Sequence, residues 1–405
     1  MILAWLALMV VAHGHGAAPA VLDVLAWSDA DDGCEATPDG LVPAVVRTNI
    51  GLAAWGADVE PFAYVCPSRW TGTEGALAAA SANGRQLVVA RDGVIAWSAD
   101  AGCTFQVTAS DPGDSVVAVA RAGDGFLVAV RRFDGQPGGL IGVRDGVVRD
   151  VARWSDASPD GVVVNGADVW VAGATPSPWA ARVDGDQRVD AVSLPALEEL
   201  DRLTPRVVDS TLWLTAGAGA SRWLWRVQDG VASPAVGPAD VLLGPAKVGD
   251  AWWASLDGEA WSSPDGLTWT DSARAVGWTC LGSLEGRPFA CTFTSVDVLS
   301  PGDGQPTQTR VFSLTQIDAP DLSRCAATDG ACELDWYHFG GESGWIGTHG
   351  GTCPIDARQP VDDTDEPGGG PGPACACDSA RPSGRLFGLL GLAWAARRRR
   401  RSSAR

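Results

Sequence analysis

The stretch SADAGCTF, Ser98–Phe105, reads Ser-x-Asp-x-Gly-x-Thr-aromatic. A near copy, SPDGLTW, runs from Ser263 to Trp269 and is one residue shorter between Asp265 and Thr268. The order of residue types has a local physical sense. Asp100 and Asp265 can accept bonds from the amides of their own turn. Gly102 and Gly266 relieve a left-handed backbone position. Thr104 and Thr268 follow, and Phe105 and Trp269 then pack between strands. Ser98 and Ser263 open the two stretches. Both are read as the closing turn of a β-hairpin, not as reactive clusters.

Around these turns the chain repeats. Short apolar strands begin near Leu52, Leu87, Phe126, Val169, Leu212, Ala251 and Pro288, at spacings of 35, 39, 43, 43, 39 and 37 residues. A period of about 40 residues fits a four-stranded propeller blade. One blade cannot bury both its faces, so neighbours must stack around an axis. Asp-Gly occurs thirteen times, including Asp92-Gly93, Asp145-Gly146, Asp184-Gly185, Asp229-Gly230 and Asp257-Gly258. That dipeptide supplies the positive φ of tight hairpins. Helical periodicity is scarce: SLPALEELDRL, Ser193–Leu203, is one short helix or a loop between blades. The sequence therefore predicts an all-β protein, a β-propeller of seven four-stranded blades, with a two-sheet sandwich as the architectural alternative. In such a ring the strands at Val169, Leu212 and Ala251 occupy equivalent positions, with Trp170, Trp213 and Trp252 pointing to the same face of their sheets.

Composition agrees with a large β core. Hydrophobic residues make up 46% of the 405-residue chain, and 19 tryptophans stand against two tyrosines. Tryptophan favours half-buried pleated surfaces. The net charge is −19, which argues against nucleic acid as a partner, because that recognition needs a basic face. Lys247 is the only lysine.

The two hairpin turns resemble the Asp-box, or BNR, repeat found in sialidases and in many other β-propellers. In that family the boxes sit on outer hairpins, away from the central axis, so the resemblance implies fold far more than activity. A sialidase would use a tyrosine nucleophile paired with a glutamate, an acidic residue and three arginines that clamp a carboxylate. Only Tyr64 and Tyr337 exist here, and neither has a matching Glu or Arg arrangement. The Phe-Arg-x-Pro signature is absent, and Arg287-Pro288 is isolated. The expectation is a protein with no catalytic residues and no cofactor, acting in binding or structural display toward a surface ligand, glycan or protein. The alternative is a surface glycan hydrolase with paired carboxylates. A cluster of carboxylates with Arg or Tyr at the central channel mouth would mark the hydrolase.

Metal chemistry finds little support in the sequence. His338 and His349 lie near Cys332 and Cys353, but at His–Cys separations of 4 to 17 residues, too loose for a local zinc motif. SDADDG (Ser28–Gly33) and DGDQRVD (Asp184–Asp190) look like calcium loops yet lack the full ligand set, and are read as solvated turns. Disulfides are the expected use of eight cysteines, which allow 105 pairings. Cys280 and Cys291 flank a turn at equal distances. Cys66 ends an early strand and Cys103 lies in a box one blade later. Cys325 and Cys332 enclose an Asp-Gly loop, and Cys34 with Cys353 would join the ends of the ring.

The ends of the chain read as targeting segments. MILAWLALMVVAHGHGAAPA opens with a short apolar run followed by small residues, a secretory signal over residues 1–17, or else a buried first strand or helix. Export fits the cysteine content. Residues 18–353 form the propeller, with the Cys-rich stretch after Leu322 closing the ring or making an eighth, degenerate blade. Residues 354–374 are acidic and rich in Pro and Gly, and are read as a disordered linker. Residues 375–405 combine Cys375-x-Cys377, an apolar run from Leu386 to Ala396 as a short hydrophobic helix, and five arginines from Arg397 to Arg401. An 11-residue helix spans roughly 16 Å, about half of a hydrocarbon core. This order resembles the MYXO-CTERM sorting tail of myxobacterial surface proteins. The resemblance implies a sorting protease, tail removal, lipid attachment near Cys375 or Cys377 and an outer-surface location. Arg381 and Arg385 shorten the apolar stretch relative to that pattern, and a plain C-terminal membrane anchor is the alternative.

Overall fold

The computed structural model describes residues 20–29, 41–49, 51–56, 59–65, 76–111, 113–132, 138–302, 305–314 and 317–318. Seven antiparallel sheets follow one another along the chain. Blade 1 holds β1 (Val21–Asp29), β2 (Leu41–Thr48), β3 (Leu52–Gly56) and β4 (Val59–Val65). Blade 2 holds β5 (Leu77–Ala80), β6 (Leu87–Arg91), β7 (Val94–Ser98) and β8 (Gln106–Ala109). Blade 3 holds β9 (Asp114–Ala122), β10 (Gly125–Arg132), β11 (Gly138–Arg144) and β12 (Val147–Trp154). Blade 4 holds β13 (Gly161–Asn165), β14 (Asp168–Gly173), β15 (Trp179–Asp184) and β16 (Gln187–Val189). Blade 5 holds β17 (Arg202–Val208), β18 (Thr211–Ala218), β19 (Ser221–Gln228) and β20 (Val231–Ala239). Blade 6 holds β21 (Leu242–Val248), β22 (Ala251–Leu256), β23 (Glu259–Ser263) and β24 (Thr270–Ala275). Blade 7 holds β25 (Cys280–Leu284), β26 (Arg287–Cys291), β27 (Ser295–Ser300) and β28 (Thr307–Ser313).

The first strand of each blade contacts the first strand of the next, and β25 contacts β1, so the first strands surround a common axis and the ring closes. The expected seven-bladed β-propeller is the observed fold. A short β29 (Ile317–Asp318) adds in parallel to β4, pairing Ile317 with Phe62 and Asp318 with Ala63, so the chain returns to the blade where it began.

Burial explains why the repeat was visible. Six consecutive residues of β10, Gly125–Val130, are buried, as are six of β11. A strand covered on both faces reads as a continuous apolar run. Fourth strands such as β8 and β12 are mostly exposed or half-buried and carry no such signature. Six of the seven sequence landmarks fall on second strands. The exception is Leu52, which opens β3, a third strand. Leu52, Ala53 and Ala54 are all buried, so β3 carries the same doubly covered signature and shifts the apparent phase of blade 1.

The tryptophan expectation needs a correction. The hairpins pair Asn165 with Asp168, Val208 with Thr211 and Val248 with Ala251. Counted from these pairs, Trp170 and Trp213 are equivalent, but Trp252 is one residue early. Alternation along a strand turns that one residue into the opposite face. Trp252 therefore faces back toward blade 5 and meets Trp213, with ring centroids 5.0 Å apart. Trp253 takes the forward position and packs with Leu281 and Ala290 of blade 7.

Asp-Gly turns behave as read. At Asp145-Gly146, Asp229-Gly230 and Asp257-Gly258 both residues have positive φ, as the primed hairpin turns require. Ser193–Leu203 forms no helix. Ser193 bridges to Val231, the segment runs as a loop, and β17 starts at Arg202. Cys280 and Cys291 are cross-strand partners joined by a disulfide, with Cα atoms 4.8 Å apart. Cys34, Cys66, Cys325, Cys332, Cys353, Cys375 and Cys377 lie outside the described residues, as do the signal, linker and tail segments. All the described residues belong to one compact unit.

Candidate functional site

The two hairpin boxes join third to fourth strands, β7 to β8 and β23 to β24, on the outer half of their blades. Their polar groups serve the turn. Asp100 accepts bonds from the Thr104 amide at 2.8 Å, the Thr104 hydroxyl at 2.7 Å and the Ser98 hydroxyl at 2.8 Å. The Gly102 amide donates to the Ser98 hydroxyl. Asp265 accepts from the amides of Leu267 and Thr268, and from the hydroxyls of Ser263 and Thr268. Trp269 packs edge-on against Trp213 of the preceding blade. Arg226 of blade 5 donates to the Asp265 carbonyl. Phe105 packs against the core shared by blades 1 and 2.

These bonds set acidity. The amides of Thr268 and Leu267, then the Ser263 hydroxyl, hold the Asp265 carboxyl well below the ordinary carboxylate range. Burial alone would raise Asp100, but the bonds from Thr104 and Ser98 outweigh it and its carboxyl also lies low. A depressed folded pKa contributes stability above the unfolded value, near 3.9 for aspartate, and that stability is lost as pH falls through the folded value. Asp265→Asn is therefore expected to flatten the fall of stability below about pH 4 while leaving its shape above pH 5 unchanged. Urea titrations at stepped pH measure this, and an unaltered acid limb would reject the role of the carboxylate.

Gly102 has φ +89°, and a Cβ there would come within 2.8 Å of Val65. Cys103 is disulfide-bonded. The other described cysteines, Cys280 and Cys291, bond each other, so the partner of Cys103 lies outside the described residues. Val65 and Gly102 are in contact, and each immediately precedes a cysteine. Cys66 is thus the expected partner. A Cys66–Cys103 bridge would close a loop worth roughly 3–4 kcal/mol in the chain-entropy model. Non-reducing peptide mapping should return a Cys66–Cys103 peptide, and any other partner for Cys103 would overturn the assignment.

Charged groups near the axis are held by neighbouring blades. Arg206 on β17 donates Nη1–H to the Leu281 carbonyl at 2.7 Å and to the Gly244 carbonyl at 3.2 Å, reaching blades 7 and 6. Those carbonyls belong to innermost strands, whose inner edges have no further strand to pair with. Burial lowers the Arg206 pKa and Asp23 opposes that shift. Burial likewise raises Asp23, against the pull of Arg47 and Arg206. Arg121 of blade 3 meets Glu285 of blade 7 at 2.7 Å. These blades are not neighbours, so their first hairpins reach over the axis. Asp160, 1% exposed, accepts from the amides of Ala174 at 2.8 Å and Leu203 at 2.9 Å, and pairs with Arg131. One carboxylate thereby ties blades 3, 4 and 5. Asp114 holds Arg153 through both oxygens, at 3.0 and 3.1 Å. Among the described residues, no group of three or more His, Cys, Asp or Glu could hold a metal. Tyr64 lies on β4, and Tyr337 lies outside the described residues.

A groove opens between blades 5 and 6. It encloses about 270 Å³ and is lined by Arg202, Thr204, Thr215, Gly217, Arg222, Asp240, Val241 and Leu242. The sheet register brings these residues together. Arg202 pairs with Gly217 and Gly217 with Arg222, so two arginines flank a glycine across three strands. Thr204 and Thr215 form the next row on the same face. Neither the groove nor Asp160 nor Arg206 was singled out by sequence reasoning, because register and blade contacts carry them. The one sequence signal is that β17 alone among the innermost strands has two arginines.

No family model matches the chain, and no curated protein matches it. Among solved structures it is similar to the Dos1 propeller, at TM-score 0.49 and 9% identity over 75% of this chain and 86% of that one. It is also similar to YCF48 from Cyanidioschyzon merolae, at TM-score 0.43 and 13% identity over 69% of this chain and 97% of that one. A third likeness is to the computationally designed Ika8 protein, at TM-score 0.40 and 13% identity over 68% and 84%.

Proposed function

We propose that this chain is an exported, surface-anchored β-propeller of the Asp-box type that acts by binding and not by catalysis. The observation that carries this reading is where its polar groups go. Box carboxylates are committed to their own turns, Arg206 and Asp160 to neighbouring blades, and Asp114 to Arg153 of its own blade. Among the described residues, a groove with open polar groups lies between blades 5 and 6. The Cys280–Cys291 disulfide supports an oxidising compartment, in keeping with the signal-like N-terminus. The Cys-apolar-Arg order of residues 375–405 supports sorting to the outer surface through a MYXO-CTERM-like tail. A single acyl chain or a short apolar run anchors weakly, so stable retention calls for two acyl chains or an uncut tail.

Mass spectrometry of surface-exposed protein tests the export and anchoring. The expected mature C-terminus lies at or near Cys375 or Cys377 and carries an acyl group. Surface protein ending in intact RRRRRSSAR would refute processing, and protein confined to the cytosol would refute export.

A further inference from the structure

We propose that the groove between blades 5 and 6 is a carboxylate-binding subsite for one acidic sugar residue, held by Arg202 and Arg222 over Gly217. This rests on the reading of the propeller as a binding module and names the ligand class for it.

The geometry comes from one row of the sheet. Arg202, Gly217 and Arg222 are consecutive cross-strand partners on β17, β18 and β19. Two strand spacings separate the arginines by roughly 10 Å at the backbone. The residue between them has no side chain, so the Arg222 guanidinium lies over it, toward the strand that carries Arg202: its Nη1 and Cζ stand 3.1 and 3.3 Å from where a Gly217 Cβ would sit. Arg222 is steadied by bonds from Nη1 to the Gly219 and Ser221 carbonyls, which leaves its other N–H groups available. Arg202 is exposed, and no hydrogen bond or ion pair engages it among the described residues. A guanidinium presents a planar fork that matches a carboxylate.

The rest of the lining favours a sugar over a bare anion. Thr204 and Thr215 place two hydroxyls one row further in. The Asp240 carboxylate stands at the rim, where it can accept from ligand hydroxyls. Val241, 54% exposed, and Leu242 supply an apolar wall. That wall is fixed by Asp257, whose carboxylate accepts from the amides of Asp240 and Val241. Asp201 is also near, with one oxygen turned to the Gly219 amide and the other 3.3 Å from the point where a Gly217 Cβ would sit. Two carboxylates beside two arginines disfavour a doubly charged phosphate monoester, and the planar guanidinium fork matches a carboxylate. A volume of about 270 Å³ falls just below the usual range for ligand pockets, roughly 300–1,000 Å³, and suits one ring, not an extended peptide.

Calorimetric titration of the full chain tests this with glucuronate and galacturonate oligosaccharides. The comparison arms are glucose oligosaccharides, glucose 6-sulfate and a short peptide with a free C-terminal carboxylate. The expected result is binding of a uronate oligosaccharide that weakens with added salt and falls about tenfold or more in Arg202→Gln. Arg202→Lys should restore only part of it. Thr204→Val keeps both arginines and should lose a smaller share. Unchanged uronate affinity in a folded Arg202→Gln protein would overturn the site. Binding only of neutral sugar, of the sulfate or of the peptide would overturn the ligand class while leaving the binding module standing. Cleavage of the oligosaccharides would instead overturn the non-catalytic reading on which the proposal rests.

Discussion

Trp213→Ala is expected to destabilise the folded chain by about 3–5 kcal/mol, the usual cost of emptying a large buried aromatic site. Trp213 is 0% exposed and sits at the seam of blades 5 and 6. It meets Trp252 at 5.0 Å and Trp269 at 6.4 Å between centroids, and packs with Leu224 and Val208. Its ring also lies 3.0 Å from where a Cβ on Gly266 would stand, so the second box is built around it. Truncation leaves a void bounded by two rigid sheets, which cannot collapse into it without breaking β pairing. Urea unfolding should show a lower midpoint at unchanged slope. Val147→Ala, at a residue 63% exposed, is the control and should change stability by less than about 0.5 kcal/mol. A Trp213→Ala protein as stable as that control would mean the seam is not packed as described.

Asp160→Ala should cost a similar amount, about 3–5 kcal/mol, for a different reason. Removing one partner from a buried pair leaves the other charge uncompensated. Here it also strands two amides, Ala174 and Leu203, that donate to the same carboxylate oxygen. The contrast with Asp265 is informative. Both aspartates sit in the tetrapeptide Ser-Pro-Asp-Gly, at residues 158–161 and 263–266. Asp265 caps its own hairpin in solvent, whereas Asp160 is enclosed and tied to three blades. Glu198→Ala, an exposed change with no side-chain partner among the described residues, should stay within about 0.5 kcal/mol of wild type. Equal stability of the Asp160 and Glu198 variants would reject the role assigned to Asp160.

That pair of tetrapeptides shows where sequence reading stops. The fold was legible because central strands, buried on both faces, leave unbroken apolar runs, and because Asp-Gly turns declare hairpins. The boxes were legible because their bonds are local, within four residues. The strand read at Leu52 is there, but as the third of its blade and not the second, since a third strand of small buried residues carries the same apolar run. The face of Trp252 was misread because adjacent tryptophans, 252 and 253, hide a one-residue offset that only hairpin register reveals. Asp160 was invisible for a related reason: its partners are up to 43 residues away, in three blades. The groove is assembled by register across β17, β18 and β19, so Arg202, Gly217 and Arg222 show no spacing that a sequence motif could capture. Arg206 likewise reaches carbonyls 38 and 75 residues on.

The measurement that bears most directly on the functional claim is a panel of glycans and peptides offered to the full chain, read for both retention and turnover. A propeller whose box and axial polar groups are committed to structure should retain at least one class of ligand and return it chemically unchanged after prolonged incubation. Release of shortened glycan, lost when a carboxylate near the axis such as Asp23 is replaced by Asn, would contradict the account and establish a hydrolase.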